Sequence, residues 1–280
     1  MSMLSLRTAA AALALVLLAA LGGCNTMREH HSAASVVDYL YPDKDKPMVT
    51  PGTPVLNLPL RVGIAFVPGA GYGGGALTET RKQALLQQVA DHFKAEPFVK
   101  TIEVIPSAYL RPRGSFANLE ELRTMYGVDV VALVSYDQVQ FTDEGLLSLT
   151  YWTIVGAYMV PGEKNDTQTM LDTVVMDVRS RKMLFRAPGM DRVSGRATLV
   201  NASEQLRQDS LTGFDNASRQ MMVNLEQQLA LFKDKVKEHP QDYQVVRSAE
   251  YTQRTGGGSL DGGVLVLGAL VAAAAWRRRR

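Results

Sequence analysis

One cysteine occurs in the 280 residues, Cys24, and its surroundings say what its thiol is for. It follows an uncharged apolar run, Ala9 to Leu21, and two small residues, Gly22 and Gly23. With Arg7 as a short basic region ahead of the run, that order is a secretory signal peptide. The stretch Leu21-Gly22-Gly23-Cys24 reads as a bacterial lipobox, in which the chain is cut between Gly23 and Cys24 and the thiol is lipidated. Two or three acyl chains make a stable anchor, because each buried methylene contributes about 0.8 kcal/mol and a single chain binds only marginally. The exported domain has no second thiol for a disulfide and must hold together by packing.

The other chemistry-bearing groups are weaker signals. Gly69, Gly71 and Gly74 make a GxGxxG between a strand and a helix, the place of dinucleotide-binding glycines. Pro68 interrupts that step and no acidic residue closes the second strand at the expected distance, so a plain loop is the better reading and no cofactor is expected. Of four histidines, His30 and His31 are adjacent in a polar stretch without a fixed third ligand, His92 is within a helix and His239 precedes Pro240. None lies in a GxSxG elbow or an HExxH run. Glu120/Glu121 and Asp143/Glu144 are neighbours that point different ways and read as solvated faces. Tyr151, Trp152, Tyr158 and Met159 read as sheet packing.

The elements that would position these groups begin at residue 58. Leu60 to Val67 is an apolar strand, and Thr78 to Ala95 is an amphipathic helix with Leu85, Val89 and Phe93 at fourfold spacing beside Leu86 and Ala90. Thr101 to Ile105 is a second strand. Phe116 to Tyr126 is a second helix, with Asn118 as its cap and Gly127 as its stop. Val128 to Ser135 is apolar enough to lie centrally in a sheet covered on both faces. Leu146 to Val160 and Met170 to Val178 are strand-like, Ser180 to Lys182 is a turn, and Met183 to Ala187 pairs back as a hairpin. Ala197 to Glu238 places Leu211, Phe214, Met221, Leu225, Leu229, Phe232 and Val236 on one helical face. The expected fold is a single α/β domain with a mixed sheet: βαβαβ, then antiparallel strands, then a C-terminal amphipathic helical region. Its bounds are 58–239, after a signal peptide (1–23) and a lipidated flexible tether (24–57) ordered only around Val36 to Tyr41, and before a linker (240–258) and a tail (259–280).

Removing residues 1–23 and 259–280 takes away five basic residues and one acidic one, so the formal charge moves from +2 to −2. The basic character belongs to the ends, and the body gives no electrostatic case for nucleic acid. In the tail, Arg277, Arg278, Arg279 and Arg280 follow an apolar run and fix its topology with the arginines cytoplasmic. As a permanent anchor the run is poor. Gly262 to Trp276 gives 15 uncharged residues, about 22 Å of helix against a hydrocarbon core of about 30 Å. Gly262, Gly263 and Gly268 weaken it further, by about 1 kcal/mol each relative to alanine.

Gly256-Gly257-Gly258-Ser259, the glycine-rich apolar run and the four arginines resemble the GlyGly-CTERM tail cut by rhombosortase, a rhomboid-type intramembrane serine protease. With the lipobox and the segment HHSAASVVDYLYPDKDKP, the chain is similar to the rhombotarget lipoprotein family. That resemblance implies processing near Gly256, Gly257 and Gly258 by the partner protease, with lipoprotein-processing enzymes and a membrane lipid anchor as the other partners. Asn25 after the lipidated cysteine, by resemblance to lipoproteins of two-membrane bacteria, implies an inner-membrane precursor that moves to the outer membrane or cell surface. The expected role is a non-catalytic binding or assembly module of the cell envelope, not an enzyme. The alternatives are a hydrolase-like envelope enzyme whose site forms only in three dimensions, and an oligomeric assembly factor.

Overall fold

The computed structural model describes residues 28–43, 50–69, 77–144, 163–197 and 201–254. In chain order the elements are β1 (Arg28–Ala33), α1 (Val36–Leu40), β2 (Val55–Leu58), β3 (Leu60–Phe66), α2 (Glu79–Phe93), β4 (Val99–Val104) and α3 (Ser115–Tyr126). There follow β5 (Val130–Glu144), β6 (Glu163–Asp177), β7 (Lys182–Ala197), α4 (Ala202–Glu238), β8 (Gln244–Arg247) and α5 (Ala249–Arg254). The chain is α/β with a mixed sheet, as its sequence pattern requires. The main sheet runs β4-β3-β5-β6-β7, with β1 paired to β5, and β2 and β8 form a second, parallel pair.

The described residues group into two compact units. The smaller holds 28–30, 140–144, 163–167, 194–197 and 201–209, and the larger holds the rest. Within the smaller, Gln140 Nε2 donates to the Leu206 carbonyl at 3.0 Å and Gln205 Nε2 to Asp209 at 2.8 Å.

The larger unit follows from a period of two in its strands. Leu60, Ile64 and Phe66 of β3, Val130, Ala132 and Val134 of β5, and Leu171 and Val175 of β6 enter one core with α2 and α4. Their neighbours Ala65, Val131, Leu133, Val174 and Met176 enter a second core with α1 and α3. β3 pairs in parallel with both β4 and β5; β5, between β3 and β6, is central in the sheet, and the two cores cover it on both faces. Helix α2 starts at Thr78, whose hydroxyl accepts from Arg81 N–H, and buries Leu85, Leu86, Val89 and Ala90. Helix α3 stops at Gly127, whose φ of 64° is the left-handed conformation glycine adopts without a Cβ clash. Gly189 on β7 lets α4 approach closely, since a Cβ there would collide with the Ala217 carbonyl and the Met221 amide.

Several expected boundaries are corrected. Residues 28–33, expected in the flexible tether, form β1, and Ala34 N–H donates to the Tyr136 carbonyl at 2.8 Å. A polar segment shows no apolar period, yet main-chain pairing needs none. The ordered patch at 36–40 is present, with Val36, Tyr39 and Leu40 buried. Residues 240–258, expected as linker, include β8 and α5, because Gln244 to Arg247 pair with Val55 to Leu58. Ala197 ends β7 instead of opening the last helix, which begins at Ala202 after the Asn201 carbonyl accepts from Gln205 N–H at 2.9 Å. Asn118 lies inside α3, not at its cap, because its amide is used by the second core. The strand-like run 146–160, with its four aromatic and methionine positions, lies outside the described residues.

Candidate functional site

The large-scale feature left by this packing is a cavity of about 440 Å³ in the larger unit. Its floor is the first face of the sheet: Val62 and Ile64 of β3, Val130 and Ala132 of β5, Val175 of β6. One wall is α4, where Leu225, Leu229, Phe232 and Val236 fall at spacings of four, three and four and so share a face. Leu56 and Leu58 of β2 and Val245 of β8 close the far side. Those two strands meet only because the chain returns after α4 to pair with its own beginning. An aromatic series, Phe185 to Phe232 at 5.4 Å and Phe232 to Tyr243 at 5.4 Å between ring centroids, seals the side near β7.

The polar groups sit at the rim. Lys233, Lys237 and Arg247 line the cavity together with Tyr251. Lys233 Nζ is 2.9 Å from Glu96 Oε2 and 4.5 Å from the centre of the Phe98 ring, which fixes it at the edge. Lys237 pairs with Asp234 at 2.9 Å in an exposed i,i+3 bridge that water and salt screen. Among the described residues no carboxylate lies within salt-bridge distance of Arg247. Inside, the one polar side chain among the described residues is Thr173, whose hydroxyl is 3.0 Å from Met221 Sδ.

A cavity of this size is out of the ordinary for a protein interior, where voids larger than a water molecule are few. Kept dry, 440 Å³ would cost roughly 10 kcal/mol at about 24 cal/mol per Å³, comparable to the whole stability of a domain. The mouth is open to solvent, so that figure is a ceiling. The volume lies in the range of about 300–1,000 Å³ typical of small-molecule sites. Its described lining offers no carboxylate, histidine, serine or cysteine, and its polar groups are Thr173, Lys233, Lys237, Arg247 and Tyr251.

Of the residues singled out in the sequence, Gly23, Cys24, Gly256, Gly257, Gly258 and Arg277 to Arg280 lie outside the described residues. So do the glycines of the GxGxxG apart from Gly69, which is exposed. His92 pairs with Glu226 and bridges α2 to α4 on the surface, away from any serine or cysteine partner among the described residues. Glu120 is held by Arg123 at 2.6 Å, while Glu121 pairs with Arg111. No group of three or more His, Cys, Asp or Glu among the described residues could hold a metal ion. No described helix is long and apolar enough to cross a membrane. The cavity was not legible beforehand. Leu225 to Val236 read as a core face, and only the return of β8 shows that the face is incompletely filled.

No protein-family model matches the sequence, and no curated protein matches it. Among solved structures, a point variant of the PelC dodecamer from Paraburkholderia phytofirmans is similar over 72% of this chain and 95% of that one, at 11% identity and a TM-score of 0.29. A second PelC dodecamer from the same organism covers 71% and 96%, at 12% identity and a TM-score of 0.26. At such TM-scores neither similarity carries an inference about fold or role.

Proposed function

We propose that this chain is a cell-envelope lipoprotein, anchored through lipid on Cys24 and released from its C-terminal tail by intramembrane cleavage, whose domain binds an amphiphile. The ligand has an apolar chain and an anionic head, such as a long-chain carboxylate. The single observation that supports the binding role is the cavity of about 440 Å³ with an apolar interior and Lys233, Lys237 and Arg247 at its rim. An apolar chain gains from leaving water at about 0.8 kcal/mol per methylene, and the rim cations would face the head group. The delivery half of the reading rests on the lipobox and on the resemblance of the tail to a GlyGly-CTERM segment.

The test uses residues 25–258, made without the signal segment, Cys24 and the tail, which takes away both proposed membrane attachments. Palmitate is titrated against hexadecanol, an uncharged chain of the same length. Palmitate should bind at micromolar concentration or tighter, the alcohol several-fold more weakly, and Arg247→Glu with Lys237→Glu should erase the difference. Equal affinity for acid and alcohol would overturn the assignment of the rim, and binding of neither would overturn the binding role.

A further inference from the structure

On the other face of the sheet, beside the second core, lies an open groove of about 840 Å³ between α1, α3 and the turn from β6 to β7. Three of its lining residues are Arg123, Arg179 and Arg181, and no lysine lines it. Arg123 is committed to Glu120, donating from Nε at 2.8 Å and from its terminal nitrogen at 2.6 Å. Arg179 and Arg181 are different: among the described residues no carboxylate lies within salt-bridge distance of either. The Arg123 hydrogen bond, and then the charges of Arg123, Arg179 and Arg181, hold the Glu120 carboxyl below its ordinary range, so all three guanidinium fields converge there.

The groove is also where the backbone is strained. The described non-glycine residues with positive φ are Arg113 at 57°, Ser115 at 58° and Arg181 at 59°. Ser115 and Arg181 line the groove, and Arg113 donates to the carbonyl of Pro42, which lines it too. A left-handed conformation brings the Cβ of a non-glycine residue too close to the following carbonyl oxygen, and such residues gather at ligand clamps. Glycine would occupy position 181 without that clash, so an arginine there points to use of its side chain. The Arg181 guanidinium lies 5.3 Å from the centre of the Phe116 ring, which steadies it. The turn itself is pinned. Asp177 accepts from Ser180 N–H at 2.8 Å, and Val178 N–H donates at 3.3 Å to the carbonyl of Asp129. The Asp129 carboxylate is in turn held by Arg61 through two bonds of 3.0 Å.

We propose that this groove binds a phosphate-type oxyanion, with Arg179 and Arg181 as its direct ligands and Arg123 flanking them. Guanidinium forks match the paired oxygens of such a group, and the three arginines of the groove exceed its two carboxylates, Asp43 and Glu120, by one positive charge. The phosphate comes either free in solution or on a lipid head group, and the same residues serve both.

The test uses the full chain in lipid nanodiscs, with arginine modification by phenylglyoxal read by peptide mass spectrometry. One arm adds pyrophosphate to discs of phosphatidylcholine; the other replaces phosphatidylcholine with phosphatidylglycerol. Protection of Arg179 and Arg181, with Arg219 on the exposed face of α4 unprotected, is the expected result in at least one arm. The pyrophosphate arm alone identifies a free phosphate, and the phosphatidylglycerol arm identifies the head group. No protection in either arm, or protection of Arg219 to the same degree, overturns the proposal. Arg181→Gly keeps the turn and relieves its strain, so it folds; losing one charge-assisted pair should weaken protection of Arg179 about tenfold. Unchanged protection of Arg179 in that variant also overturns it.

Discussion

Replacing Ala132 by isoleucine asks directly whether the cavity is space or core. Ala132 lies on the central strand β5, is 7% exposed, and forms part of the cavity floor. Isoleucine adds three carbons and suits a strand. In a close-packed interior those carbons would force neighbours off their rotamers and cost about 1–3 kcal/mol. In a void of about 440 Å³ they enter unoccupied space, and each removes apolar surface from water at about 0.8 kcal/mol. Full burial would give somewhat above 2 kcal/mol, and an open mouth reduces it, so a gain of about 1–2 kcal/mol is expected for the ligand-free protein. For a domain of this size that raises Tm by roughly 2–8 °C. Urea unfolding of the ligand-free chain, with unchanged m-value, measures it. The same variant should lower the affinity for anilinonaphthalene sulfonate, a probe with an apolar body and an anionic group. A loss of 1 kcal/mol or more in the ligand-free state would refute the reasoning, because it would mean that the floor is already packed.

Three other outcomes follow from the same physics. The mature protein isolated from its own membrane should begin at Cys24 with attached acyl chains and lack Arg277 to Arg280; a mass that includes those arginines contradicts the release step. Asn118 is buried, accepts from the Tyr39 hydroxyl at 2.8 Å and from Arg111 N–H at 2.9 Å, and donates to the Tyr109 carbonyl at 3.2 Å. Asn118→Ala should therefore cost about 2–4 kcal/mol in urea unfolding, with Tyr39→Phe recovering part of it by removing the stranded hydroxyl. Burial, the larger cause in both, pushes the Tyr39 and Tyr136 hydroxyls well above the ordinary tyrosine value; Arg111 lowers Tyr39 while Glu121 raises it, and Asp137 raises Tyr136. Their folded pKa lies above the unfolded value of about 10, so this contribution is intact below pH 10 and is lost as pH rises beyond it. Stability measured from pH 9 to 11 should fall, and less steeply in Tyr136→Phe.

What could be read beforehand followed the reach of each signal. The apolar run from Val128 to Ser135 is local and strong, so a central strand covered on both faces was legible from the sequence. The helix at 79–93 was equally plain, because Leu85, Leu86, Val89 and Ala90 repeat at helical spacing. β1 and β8 were hidden for a physical reason. They are held by main-chain pairing to strands about 100 and 190 residues away, and such pairing leaves no mark in side-chain periodicity. The cavity depends on that second pairing, since Leu56, Leu58 and Val245 become its far side only when β2 and β8 meet. The arginine groove was missed for a similar reason. Arg123 sits on a helix and Arg179 and Arg181 in a turn, and nothing in their spacing brings them together.

The central claim is that the domain holds an amphiphile with its chain along α4 and its charge at the rim. Crystals of the chain without its two proposed membrane attachments, grown with palmitate, test that most directly. The account predicts an alkyl chain against Leu225, Leu229 and Val236, with the carboxylate among Lys233, Lys237 and Arg247. An empty cavity in crystals grown at saturating palmitate, or a chain bound with its carboxylate at the sheet floor beside Ala132, would contradict it.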